Sequence, residues 1–133
     1  MNRKSIYLLI LAAGLALGQE TTNDRRIDYI EFHASDMAAT KAFYGAVFGW
    51  KFKDYGPDYV AFEDGRLNGG FWKEGKAGSG ALVILYAVDL PAMEAKVRAA
   101  GGKVVRSIYT FPGGRRFHFT DPNGNELAVW SEK

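Results

Sequence analysis

Tyr29, Glu31 and His33 fall two residues apart in the alternating stretch RIDYIEFHASD. Side chains two apart on a strand share a face, so a phenol, a carboxylate and an imidazole stand together. The same parity in NELAVW groups Glu126, Ala128 and Trp130, leaving Leu127 and Val129 to pack on a helix. In RRFHFTD it groups Arg116 with His118, if Phe117 and Phe119 are core. With Trp72 from NGGFW, these residues make an aromatic cup with two histidines, two glutamates and an arginine. Three chemistries suit such a set. The polar groups can satisfy one another or sit at wet strand ends. They can form a polar clamp, with Trp72 and Trp130 stacking on a flat or apolar ligand and Arg116 pairing with an anionic group. Or Glu31 and Glu126, completed by His33 and His118, can form a metal or acid-base site.

The elements that must position these residues occur twice. RIDYIEFHASD ends at Asp36, a helix is predicted over Met37 to Phe48, and Gly49 stops it. ALVILYAVD ends at Asp89, a helix is predicted over Leu90 to Ala100, and Gly101-Gly102 stops it. Each aspartate suits an N-cap, where its carboxylate accepts from free amides of the first turn, and a glycine suits the left-handed residue that closes a helix. Four-residue spacing predicts that the first helix buries Phe43 with Val47 and Tyr44 with Phe48, and the second Met93, Val97 and Ala100. Three strand-like segments follow each helix: WKFKDY, DYVAFED and NGGFW, then KVVRSIYT, RRFHFTD and NELAVW. The unit is βαβββ, repeated. One unit cannot cover both faces of its sheet, so two must associate around a shared interior.

The chain has 133 residues, enough for one domain, and no cysteine, which excludes disulfides, a thiolate nucleophile and Cys-based metal sites. Its first 18 residues read as a secretory signal peptide: Arg3 and Lys4 precede an apolar run from Ile6 to Leu17, and small residues predict cleavage after Gly18. The expected destination is secretion or the periplasm, with no membrane association after cleavage. An uncleaved anchor is the alternative. Residues 19–26 form a polar spacer and 27–133 the domain, with module one at 27–73, a glycine-rich linker at 74–80 and module two at 81–131. Cleavage removes two cations and no acid from a total of 17 Lys and Arg against 15 Asp and Glu. A near-neutral mature chain carries no nucleic-acid footprint.

FYGAVFGWKF after ASDM, VDLPAMEAKVRAAGGKV in the second half and FTDPNGNELAVW at the end, in that order and spacing, resemble the vicinal oxygen chelate superfamily, which includes glyoxalase I, bleomycin-resistance proteins and extradiol dioxygenases. The resemblance spans Ile27 to Trp130. It implies an α+β fold of two βαβββ modules forming a curled mixed sheet around a central pocket. In the enzymes that pocket holds a divalent metal bound by His and Glu from four strands. The matching positions here are Tyr29, Leu82 and Ala128, with the fourth among residues 68–72, which contain no acid or histidine. Apolar side chains offer a cation nothing and a neutral tyrosine is a poor ligand, so no metal and no cofactor are expected. The resemblance then implies a bleomycin-resistance-like protein that binds a small molecule. The alternative is a glyoxalase-like lyase, isomerase or dioxygenase with a shifted metal or acid-base site. Because family members often pair module to module, a homodimer also fits, and whether the modules close within one chain or exchange between two stays open.

Other motifs point elsewhere than chemistry. Pro and Gly in DPNG make Asp121 a turn residue, and PGGRR reads as a hairpin loop or a basic lip. Neither GKAGSG nor GRLNGG matches a nucleotide loop, and no Gly-x-Ser-x-Gly elbow occurs.

Overall fold

The computed structural model describes residues 23–133, so the predicted signal peptide and its cleavage point lie outside the described residues. Eight strands and two helices run in the order β1 (Arg26–His33), α1 (Met37–Phe48), β2 (Lys51–Asp54), β3 (Tyr59–Glu63), β4 (Asn68–Trp72), β5 (Ala81–Tyr86), α2 (Leu90–Ala99), β6 (Lys103–Phe111), β7 (Gly114–Thr120) and β8 (Glu126–Ser131). They form one mixed sheet with the order β2-β3-β4-β1-β5-β8-β7-β6. β1 lies parallel to β4, β5 parallel to β8, and the two halves meet where β1 runs antiparallel to β5. The two modules thus join edge to edge at β1 and β5 in a curled, unclosed α+β sheet.

Caps define both helices. Asp36 Oδ1 accepts from the Ala39 amide at 2.9 Å, and Asp89 Oδ1 from the Ala92 amide at 3.1 Å. Gly49 closes α1 in the left-handed conformation, at φ 71°. Asp121 gathers the Asn123 and Asn125 amides and the Asn125 side chain, as its turn role requires. Those hydrogen bonds, Asn125 first, hold its carboxyl below the usual range.

Both helices cover one face of the sheet. Leu90 of α2 packs on Phe117, Val129 and Ala87, with Met93, Val97 and Phe119 around them. Phe117 is fully buried, which turns Arg116 and His118 to the opposite, inner face. Under α1 the core is Ala34, Phe62 and Phe71, joined by Phe32, Met37, Tyr44, Trp50 and Phe52.

Here the structure corrects the sequence reading of α1. Phe43, Val47 and Phe48 are exposed at 55%, 56% and 59%. Tyr44 instead makes the helix's aromatic contact with the sheet, 5.2 Å from Phe71 and stacked at 4.7 Å on Trp50. MAATKAFYGAVF has one charged residue and is apolar on almost every side, so spacing alone cannot choose the face that docks.

Candidate ligand site on the inner face

Strand register brings the predicted residues together on the face opposite the helices. Glu31 pairs in register with Gly70 of β4 and Leu82 of β5; Tyr29 pairs with Asn68 and Ile84. Ile84 lies beside Ala128, Ala128 beside His118, and Trp130 beside Arg116. On a flat sheet the three strand spacings from β1 to β7 would measure about 14 Å. Because the sheet curls, Arg116 crosses that distance and meets Glu31 directly.

The contact is a two-pronged ion pair: Arg116 Nη1 donates to Glu31 Oε2 at 3.2 Å and Nη2 to Oε1 at 3.1 Å. The Glu31 side chain is 2% exposed and that of Arg116 9%. Tyr59 donates to Glu31 Oε2 at 2.9 Å, and its hydroxyl also meets that of Tyr29 at 2.9 Å. On the other side, Arg116 Nε donates to the Tyr109 hydroxyl and lies 3.2 Å from His118 Nε2. Tyr109 hydroxyl and His118 Nε2 are 2.9 Å apart, and His118 Nδ1 lies 2.9 Å from Glu126 Oε2. One connected network thus runs Tyr29, Tyr59, Glu31, Arg116, Tyr109, His118, Glu126. Rings of Trp72, Tyr109 and Phe111 stand 5.4, 5.7 and 5.9 Å from the guanidinium carbon.

The charges follow from these surroundings. Burial disfavours the Arg116 cation, but the Glu31 carboxylate outweighs it and holds the guanidinium above its usual range. Burial lowers the His118 imidazole; the Glu126 hydrogen bond opposes this and the Arg116 charge adds to it. His118 is therefore neutral near pH 7, with Nδ1–H donating to Glu126 and Nε2 left as an acceptor. Burial pushes the Tyr29 and Tyr59 phenols up, so both stay protonated donors.

Two expected members stand apart from this network. The His33 ring donates from Nδ1 to the Glu74 carbonyl in the linker. Trp130 donates from Nε1 to Asp28 Oδ2 at 2.9 Å and packs edge-on against Tyr86. The anionic partner expected for Arg116 is Glu31 of the chain itself, which removes the need for a charged ligand group there.

Tyr59, Tyr109 and Asp28 escaped the sequence reading for different reasons. Tyr59 was accessible to parity, since Val60 and Phe62 are buried and leave Tyr59, Ala61 and Glu63 opposite. Tyr109 was not, because β6 shifts register twice before it reaches that residue. Asp28 sits in the irregularity between Ile27 and Tyr29.

The resemblance places metal ligands at Tyr29, Leu82 and Ala128, whose side chains do not suit a divalent cation, and Ala128 is fully buried. On β4, a Cβ added to Gly70 would collide with the Tyr59 hydroxyl, so a tyrosine from the neighbouring strand occupies the space over Gly70. Among the described residues no group of three or more His, Asp or Glu converges as a metal site would require.

Comparison with known proteins agrees with this architecture. Residues 26–129 match the model of the Glyoxalase/Bleomycin resistance protein/Dioxygenase superfamily. Among solved structures, the chain is similar to the Mn(II)-bound glyoxalase from Novosphingobium aromaticivorans at 26% identity and TM-score 0.59, covering 80% of this chain but 38% of that one. It is similar in fold to methylmalonyl-CoA epimerase from Mycobacterium tuberculosis (12% identity, TM-score 0.60, 79% and 86% of the two chains). It also resembles in fold a superfamily member from Vibrio splendidus 12B01 (18% identity, TM-score 0.60, 80% and 97%). No curated protein matches. The repeated βαβββ sheet and the family match together show that the chain belongs to the glyoxalase/bleomycin resistance protein/dioxygenase superfamily.

Proposed function

We propose that this protein is an exported small-molecule-binding member of the superfamily that works without the family's divalent metal. The observation that carries the reading is the polar network that crosses the inner face, beside Leu82 and Ala128 at positions where the resemblance puts metal ligands. Tyr59 fills the space over Gly70, and the Glu31–Arg116 pair spans the inner face. With Arg116 neutralised, recognition falls to the surrounding rings of Trp72, Tyr109, Phe111 and Trp130 and to phenol hydroxyls. Such a surface suits a flat, aromatic or amphipathic compound with little net charge. Export rests on the N-terminal segment, with Arg3 and Lys4 ahead of the apolar run.

The test uses N-phenylnaphthylamine, an uncharged fluorescent aromatic probe. Saturable one-to-one binding, weakened about tenfold or more in Trp72→Ala, is the expected result. Absence of saturable binding, or affinity unchanged in that variant, overturns the reading. For export, the mass of the protein recovered outside the cytoplasm should correspond to a chain starting at Gln19; an intact N-terminus there contradicts cleavage.

A second reading, an isomerase or lyase with an acid-base site, draws support from one observation. Glu126 orients His118 through Nδ1, which leaves Nε2 as a base.

A further inference from the structure

Tyr109 stands between two arginines and an imidazole. Its hydroxyl accepts from Arg116 Nε and lies 2.9 Å from His118 Nε2. Since Nδ1–H is directed to Glu126, Nε2 is the acceptor and Tyr109 donates to it. A phenol oxygen has two lone pairs, so one remains for a further donor. Above the same ring stands a second cation, Arg106, its guanidinium carbon 3.8 Å from the ring centroid. Arg106 is exposed, and among the described residues its side chain forms no ion pair with a carboxylate. Glu126 is half in water, its side chain 53% exposed.

We propose that this corner of the inner face binds a weakly acidic hydroxyl, a phenol or an enol, and draws its proton through Tyr109 onto His118. In this step the ligand O–H bond breaks and its proton forms a new O–H bond on Tyr109. The proton Tyr109 already carried passes to His118 Nε2. The ligand is left as an oxyanion facing the cation of Arg106, and the new imidazolium is matched by the Glu126 carboxylate. No electrons are transferred, and every proton is accounted for. His118 is neutral at neutral pH, but burial and the Arg116 and Arg106 charges make it a weak base, so the transfer depends on the Glu126 carboxylate beside Nδ1 and on Arg106 facing the ligand oxyanion. Arg116 stays paired with Glu31 and fixes the Tyr109 oxygen as a positioning residue. The oxyanion is the form from which a phenol or enol is held most tightly or isomerised, so the relay serves binding and proton transfer alike. This inference rests on the inner face being a ligand pocket.

The test follows para-nitrophenol, whose phenolate absorbs visible light, across a pH series with and without the protein. The bound probe should ionise at lower pH than the free probe by about one unit, a tenfold change equivalent to about 1.4 kcal/mol. The nitrogen resonances of His118 should move to those of imidazolium as the probe binds. Tyr109→Phe keeps the ring under Arg106; it should abolish the His118 change and reduce the shift in the probe, and Arg106→Gln should reduce that shift as well. An equal shift in wild type and Tyr109→Phe, or an unprotonated His118 in the complex, overturns the relay. Binding of N-phenylnaphthylamine without para-nitrophenol defeats the relay and leaves the pocket standing; loss of both defeats the two together.

Discussion

Removing Arg116 by Arg116→Met should be among the most destabilising changes on the inner face. The Glu31 carboxylate is 2% exposed and takes two of its hydrogen bonds from Arg116. Stranding a buried charge by deleting its partner costs about 3–5 kcal/mol. That is a large part of the roughly 5–15 kcal/mol that holds a domain of this size together. In urea, with a slope of about 2 kcal/mol per molar, the unfolding midpoint should fall by about 2 M. The double variant Glu31→Leu/Arg116→Met removes both charges and should regain most of the loss, because an apolar pair of similar volume often replaces a buried ion pair without net cost. Urea unfolding followed by tryptophan fluorescence of wild type, Arg116→Met, Glu31→Leu and the double variant gives the coupling directly. A single-variant loss below about 1 kcal/mol, or a double variant whose losses simply add, would refute the claim that these side chains act as one buried pair.

Other consequences can be checked in the same assay. Gly70→Ala brings a Cβ into collision with the Tyr59 hydroxyl and should cost about 1–3 kcal/mol while detaching Tyr59 from Glu31; a neutral effect means Tyr59 does not fill that space. Phe48→Ser, at a residue 59% exposed, should change stability by less than about 1 kcal/mol, whereas a buried aromatic would cost several. Burial, with the Glu132 charge adding and the Trp130 hydrogen bond opposing, pushes the Asp28 carboxyl up to about 6 from 3.8. The folded state then binds that proton more tightly than the unfolded chain, so the Asp28 contribution is complete below 3.8 and is lost as pH rises through about 6. Asp28→Asn should accordingly exceed wild type in stability by about 1–3 kcal/mol near neutral pH and match it near 3.8; a constant difference across that range contradicts the assignment.

The fold was legible because its signals are local and repeated. Asp36 and Asp89 cap helices where the sequence placed them, and the buried Phe117 fixes the parity that aims Arg116 and His118 inward. Alternation survives where strands are regular, which is why Glu31, Arg116, His118 and Glu126 can be grouped from the sequence alone. It fails at bulges. Tyr109 follows two register shifts in β6, and Asp28 lies in one in β1, so neither side chain's direction could be counted along the chain. Pairing was also beyond reach: nothing in the order of residues says that Arg116 meets Glu31 across two intervening strands, since only the curl of the sheet brings them together. The docking face of α1 was hidden for the opposite reason, an excess of apolar residues around the helix.

The central claim is that this inner face is a ligand pocket without the family's metal. Calorimetric titration of the purified protein with manganese, zinc, nickel and iron(II), alongside Glu126→Ala, tests it most directly. The account predicts no saturable one-to-one uptake of any of the four. Tight one-to-one binding that disappears in Glu126→Ala would contradict it and establish a metal centre on a shifted set of ligands.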